Sequence, residues 1–415
     1  MQPADLVAEP TLHEPTGEVV VDPSVSSDAS RRRFLPGLWF PVAVFAAWRL
    51  VHVVITYLTI ADDHPRESFT EILGRVADAP LAYDGDRYVQ VMHDGYIGWR
   101  AEMPNTAFFP FHAWLSRPVS WLTGSDTVTI NVVMTLTAVA AFVCVWGVSK
   151  AWKDEVVARR AVVLLALFPS SLFLWAFYSE ALFIALGAGA LWADRRGRRV
   201  LAAALFAGLA ATRSVGILVP VVVVLIRIVR LRRVDRWALA YAAAGVVGMG
   251  VVLWAMHSQT GDAFAWMKVQ DAWGRTLAPP WESVRQGIDN LTPIDDPDTI
   301  MIPALIARNW DLWCVVIVLA GLAYAGLSRK DRWPAETWAL GLVLVALPLS
   351  SAVLPSFNRF ALATWVLYPV YGSWWGRWPR WLRVVSALAV AGGAAYTSVA
   401  MVERFTEWPY PRFIG

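Results

Sequence analysis

Apolar runs and short charged joints alternate along almost the whole of this 415-residue chain. The runs are about 17 to 25 residues long, the length that carries a helix across a bilayer core. They predict spans at 38–60, 127–149, 160–177, 180–193, 200–229, 237–257, 303–328, 336–354, 360–375 and 384–402. The run 200–229 is interrupted by Arg213 and is expected as two short helices meeting there. A further segment, 106–122, is apolar enough to span, with Pro110 and Pro118 near its ends, so the count is ten or eleven. The fold class expected is all-α, a polytopic transmembrane helical bundle, because only helices satisfy every backbone group within one segment in lipid.

Composition agrees. Hydrophobic residues make up 57% of the chain and charged residues 17%, too little charge to cover a soluble domain of this size. Of the 24 Trp, many stand at run ends (Trp39, Trp121, Trp152, Trp333, Trp378), as in an interfacial belt. Cys144 and Cys314 fall in or beside apolar runs and read as packing residues. The net charge of +3 comes without a basic stripe, which argues against nucleic acid as a partner.

Basic clusters fall at the joints: Arg31 to Arg33, Lys150 to Arg160, Arg195 to Arg199, Arg227 to Arg236, Arg329 to Arg332 and Arg377 to Arg383. Positive charge before the first span places the N-terminus in the cytoplasm. All the clusters share that side if 200–229 breaks near Arg213 and 106–122 does not cross. The organisation expected is a disordered cytoplasmic tail (1–35), a membrane domain (36–405) and a short C-terminal tail (406–415), in the cell membrane. Two polar stretches, 61–105 and 258–302, then lie outside. The first carries nine acids against four Arg and is too long to be a mere connector.

Five places could carry chemistry. Asp84, Asp86, Tyr88 and Asp94 stand close together in Tyr83–Tyr88 and His93–Tyr96 of the first loop. Such carboxylates could act as a general base or hold a divalent cation with a phosphate; Asp and Gly equally favour a solvated turn. Asn105–His112 takes the loop into apolar chain, where His112 either packs or contacts a ligand. Tyr178 and Glu180 lie between two apolar runs, in a tight turn or facing a polar cavity. Arg213 has about a dozen apolar residues on each side; a charge there is costly without a partner, which could be a lipid phosphate or an acid such as Glu180. Arg359 sits between an external turn and the next run, as a phosphate clamp or an interfacial anchor.

Taken in order, these pieces resemble the PIG-V-type mannosyltransferases, relatives of the enzyme that adds the second mannose to glycosylphosphatidylinositol anchors, within the membrane-embedded GT-C glycosyltransferases. The resemblance rests on Tyr83-Asp84-Gly85-Asp86-Arg87-Tyr88 with His93-Asp94-Gly95-Tyr96, Ala107-Phe108-Phe109-Pro110-Phe111-His112-Ala113, Phe168-Pro169-Ser170-Ser171, Tyr178-Ser179-Glu180-Ala181-Leu182-Phe183, Thr212-Arg213-Ser214-Val215-Gly216, Thr260-Gly261-Asp262, and Gln270 through Trp273-Gly274-Arg275. It covers about 80 to 360. Tyr83, Val215, His112 and Ala113 depart from the family pattern.

The resemblance implies an inverting transferase. It would take mannose or another hexose from a polyprenyl-phosphate carrier to a lipid, glycan or protein acceptor outside the cell. Asp84 would be the base and Arg213 with Arg359 would bind the donor phosphate. Asp86, Tyr88, His112, Tyr178, Glu180, Gln270 and Trp273 would surround acceptor and sugar, with membrane lipids as neighbours. A divalent cation is possible but not required by the pattern. Two other functions remain open: a glycolipid transporter or flippase, and a non-catalytic partner of a glycosylation complex. No related halves are visible of the kind many transporters show.

Overall fold

The computed structural model describes residues 35–82, 84–96, 104–289 and 309–407. The tail before residue 35, Tyr83, Arg100, Glu102, the stretch 290–302 with its three acids, the start of the 303–328 run and residues 408–415 lie outside the described residues. The chain divides into two compact units, Met1–Trp39 and Phe40–Gly415. The site lies in the second.

Every regular element among the described residues is helical. Among the described residues six helical stretches are long and apolar enough to cross a membrane: Gly37–Asp63, Asp126–Trp152, Ser214–Leu231, Arg236–Thr260, Trp310–Leu327 and Arg380–Glu403. The protein is a multi-pass membrane protein. The helices are α1 (Leu35–Asp63), α2 (Phe69–Asp78), α3 (Asp84–His93), α4 (Pro110–Thr123), α5 (Asp126–Trp152), α6 (Glu155–Leu167), α7 (Glu180–Arg195), α8 (Arg199–Ala210), α9 (Leu218–Leu231), α10 (Arg236–Thr260), α11 (Ala265–Lys268), α12 (Pro280–Asp289), α13 (Trp310–Leu327), α14 (Ala335–Leu349), α15 (Phe357–Ala363), α16 (Tyr368–Gly376) and α17 (Arg380–Glu407).

Their ends follow local chemistry. Ser125, Asp154 and Asp235 cap α5, α6 and α10, each accepting a backbone N–H from the first turn. Gly124 and Gly261 close α4 and α10 in the left-handed conformation. At the centre is α7, apolar on every side and buried along nearly its whole length. It packs against α5 and α8, and α8 packs in turn on α10.

Several predicted spans are shorter or divided. Run 160–177 stops at Leu167, because Phe168 before Pro169 is extended and Pro169 lacks an N–H. Run 360–375 splits into α15, a 3₁₀ turn (Trp365–Leu367) and α16. Helix α14 ends one residue after Pro348. Segment 106–122 forms the 14-residue α4, about 21 Å long and short of the roughly 30 Å bilayer core. Both long loops contain helices: α2 and α3 in the first, α11 and α12 in the second.

Run 200–229 breaks where Arg213 interrupts it. Helix α8 ends at Ala210, Arg213 is extended (φ −153°, ψ 152°), and a 3₁₀ turn Ser214–Ile217 leads into α9. Gly216 makes this possible: a Cβ there would overlap the Leu209 carbonyl and crowd the Ala210 Cα. Both obstacles are backbone, which cannot swing aside. Gly216→Val should therefore destabilise the protein by about 1–3 kcal/mol, the usual range for overpacking, seen as a lower melting temperature in detergent. An unchanged melting temperature would show that the break can relax.

Candidate active site

Three hydrogen bonds bring the first long loop onto the turn before α7. The Phe177 N–H donates to the Pro80 carbonyl (2.8 Å), the Asp84 N–H donates to the Tyr178 hydroxyl (3.1 Å), and the Tyr88 hydroxyl donates to Ser179 Oγ (2.8 Å). Gly85 lets the start of α3 sit this close, since a Cβ would come within 2.9 Å of the Pro80 oxygen. Asp84, first residue of α3, is thus held beside Glu180, first residue of α7.

Between them lies Arg359. Its Nη1 contacts Asp84 Oδ2 at 2.5 Å and its Nε donates to Glu180 Oε1 at 2.8 Å. Arg213 Nη1 reaches the same Glu180 oxygen at 2.6 Å. The turn carrying Arg359 is held from below by Asp311, whose carboxylate accepts from the N–H groups of Ser356 and Asn358 at 3.1 and 2.7 Å. Aromatic faces cover the guanidinium groups. Arg359 lies 4.2 Å from the centre of Tyr178, and Arg213 lies 4.9 Å from that of Phe360.

Depth separates the two carboxylates. The Glu180 side chain is 0% exposed, whereas that of Asp84 keeps 23%. Asp84, Tyr88, Phe108, Ser179, Thr212, Arg213, Gln270, Trp273, Arg275, Arg359 and Phe360 line one cavity of about 170 Å³. The sequence candidates Asp84, Tyr88, Arg213, Gln270, Trp273 and Arg359 therefore share one space. Tyr178 and Glu180 form its second layer through the bonds just given. Asp86 does not line it; its carboxylate accepts from Gln90 Nε2 (2.8 Å), and burial pushes it above the usual carboxylate range. His112 is buried behind Tyr88, edge to face at 5.1 Å. Burial, with Glu180 nearby, raises the Tyr88 hydroxyl to about 12.

Arg275 is the charged lining residue that the sequence motifs contain without an assignment to the site. Burial, and then the neighbouring Arg359, lower it from the ordinary guanidinium value. Its signal was its place two residues after Trp273. Three guanidinium groups thus meet two carboxylates around the cavity, an excess of one positive charge. Among the described residues no group of three or more His, Cys, Asp or Glu could hold a metal ion; arginine engages one oxygen of each carboxylate at this centre.

This arrangement can hold an anion beside a carboxylate that still reaches solvent. Residues 105–233 match the family Mannosyltransferase (PIG-V). This stretch, under a third of the chain, is similar to the PIG-V mannosyltransferases. It contains Glu180 and Arg213, while Asp84, Arg275 and Arg359 lie beyond it. Comparison with curated proteins gives no match.

Among solved structures, ArnT from Cupriavidus metallidurans bound to undecaprenyl phosphate is similar at 15% identity and a TM-score of 0.49, over 88% of this chain and 76% of that one. The Archaeoglobus fulgidus oligosaccharyltransferase in its apo form is similar at 12% identity and a TM-score of 0.46, over 88% of this chain and 57% of that one. The oligosaccharyltransferase AglB of the same organism, with an inhibitory peptide and a dolichol-phosphate, is similar at 12% identity and a TM-score of 0.48, over 90% and 57% of the two chains. This chain thus spans little more than half the length of the oligosaccharyltransferases. At such identities and scores the likeness assigns no role to any residue here.

Proposed function

We propose that the protein transfers mannose, or another hexose, from a polyprenyl-phosphate donor to a hydroxyl of a lipid, glycan or protein acceptor. The reaction would take place on the extracytoplasmic face of the cell membrane, with the N-terminus in the cytoplasm. The observation that carries this reading is that Asp84 and Arg213, 129 positions apart, open onto the same cavity and are linked through Arg359 and Glu180.

In this mechanism the acceptor oxygen attacks the anomeric carbon as the bond from that carbon to the phosphate oxygen breaks. The acceptor proton passes to Asp84, and the anomeric centre inverts. Asp84 Oδ2 is held by Arg359, which fixes the carboxylate in place; Oδ1 is the oxygen left to receive the proton. The leaving lipid phosphate gains negative charge, and Arg213 and Arg359 stabilise it in a site partly closed to water. A cavity of about 170 Å³ is smaller than the ~300–1,000 Å³ of pockets that enclose drug-sized ligands. It suits the reacting groups, with the hydrocarbon tails outside. Gln270 and Trp273 face the sugar and acceptor, and Tyr178 and Tyr88 hold Asp84 and the α7 turn.

The test uses purified full-length protein in lipid nanodiscs, supplied with labelled polyprenyl-phosphate-mannose and a lipid extract. Label should move to a new glycosylated product, and labelled GDP-mannose should not substitute. Label that crosses the membrane without forming a glycosidic bond would replace the transferase reading with a flippase. Tyr178→Phe removes the acceptor of the Asp84 N–H and should lower kcat about 2- to 10-fold, the worth of one such bond, with little change in KM. An unaltered kcat would show that Tyr178 does not position Asp84.

A further inference from the structure

We propose that Arg275, carried by the second external loop, is the residue that captures the donor's lipid phosphate; this rests on the donor reading above. The argument is one of charge. Arg213 is paired with Glu180, and Arg359 with both Glu180 and Asp84. Those four groups balance. Arg275 lines the same cavity, and among the described residues the ion pairs there are those of Arg213 and Arg359, none with Arg275. Its contacts are a backbone N–H to the Gln270 carbonyl (3.0 Å) and an aromatic face, Phe360, 6.0 Å from the guanidinium. A largely buried guanidinium with no carboxylate in direct contact is suited to a bidentate phosphate.

The loop is built to hold it over the cavity. Gly274 turns the chain with φ +65°. Immediately afterwards the Thr276 and Ala278 N–H groups donate to the Ser351 and Ser350 carbonyls at 3.3 and 3.0 Å. These bonds tie the strand of loop carrying Arg275 to the end of α14. Leu277, two residues on, is 92% exposed. Cation and apolar surface therefore lie side by side, as phosphate and hydrocarbon do in a polyprenyl phosphate. In this arrangement Arg213 and Arg359 stabilise the charge that develops during transfer, while Arg275 supplies the ground-state affinity.

The experiment measures direct binding of undecaprenyl phosphate and of the uncharged undecaprenol to the full-length protein in nanodiscs, by isothermal titration calorimetry. Arg275→Gln should weaken undecaprenyl phosphate about 10- to 100-fold, the range for a hydrogen bond to a charged group, and leave undecaprenol unchanged. Arg275→Lys should recover part of the loss, since it restores the charge without the planar fork. In turnover, Arg275→Gln should raise KM for the donor more than it lowers kcat. Wild-type affinity for undecaprenyl phosphate in Arg275→Gln would overturn the assignment, as would an equal loss for undecaprenol. A wild-type protein that does not distinguish the two lipids would instead sink the donor reading itself.

Discussion

Asp84→Asn should reduce mannose transfer from a polyprenyl-phosphate donor by about 100- to 10,000-fold, the contribution of a positioned general base. The substitution keeps the shape of the side chain and its amide oxygen can still accept from Arg359, so the local structure should persist. What it removes is the group that takes the acceptor proton. The thermal melting profile in detergent should stay close to wild type, because Asp84 is the more exposed of the two carboxylates and Arg359 retains Glu180. Measured together, turnover and melting separate the two effects. Full transfer by a folded Asp84→Asn protein would exclude Asp84 as the base and return the loop to a positioning role.

Glu180→Gln should have its largest effect on stability. Glu180 is fully buried and takes Arg213 and Arg359 on one oxygen. Removing its charge leaves two guanidinium groups facing only Asp84. Breaking a buried pair by deleting one partner costs about 3–5 kcal/mol, because the remaining charge is left uncompensated. The protein should melt at much lower temperature or fail to accumulate. Adding Arg213→Met to Glu180→Gln should recover part of the loss, since the double change removes a matched pair. A double variant less stable than the sum of the single changes would show that Arg213 is held by something other than Glu180. These two predictions divide the ion network: Asp84 serves transfer, and Glu180 holds the arginines that transfer uses.

Much of this was legible in the residue order. The apolar runs predicted the all-helical membrane bundle, and the lone Arg213 within one of them predicted the break between α8 and α9. Prolines divided other runs, and the pattern alone did not show where. Pro169 lay inside an apolar stretch whose hydropathy did not fall, so the end of α6 at Leu167 was hidden from a hydropathy argument. The candidate residues were found one at a time. Asp84, Arg213 and Arg359 each stood out as a charge at the edge or middle of apolar chain, and each had a bland alternative. Arg275 did not stand out, because an arginine in a polar loop costs nothing until a neighbouring element desolvates it.

The composition and spacing of the chain by themselves determined that it crosses a membrane as helices, because a backbone in lipid has no other way to satisfy its hydrogen bonds. They also supplied the charged residues that such a bundle must pair. Only the tertiary structure decided the pairing. Arg359 meets Asp84 275 positions away, and nothing local marks that partnership. Buried charges choose partners by proximity in a low-dielectric interior, and that proximity exists only after α3, α7, the Arg213 break and α15 have packed around one cavity.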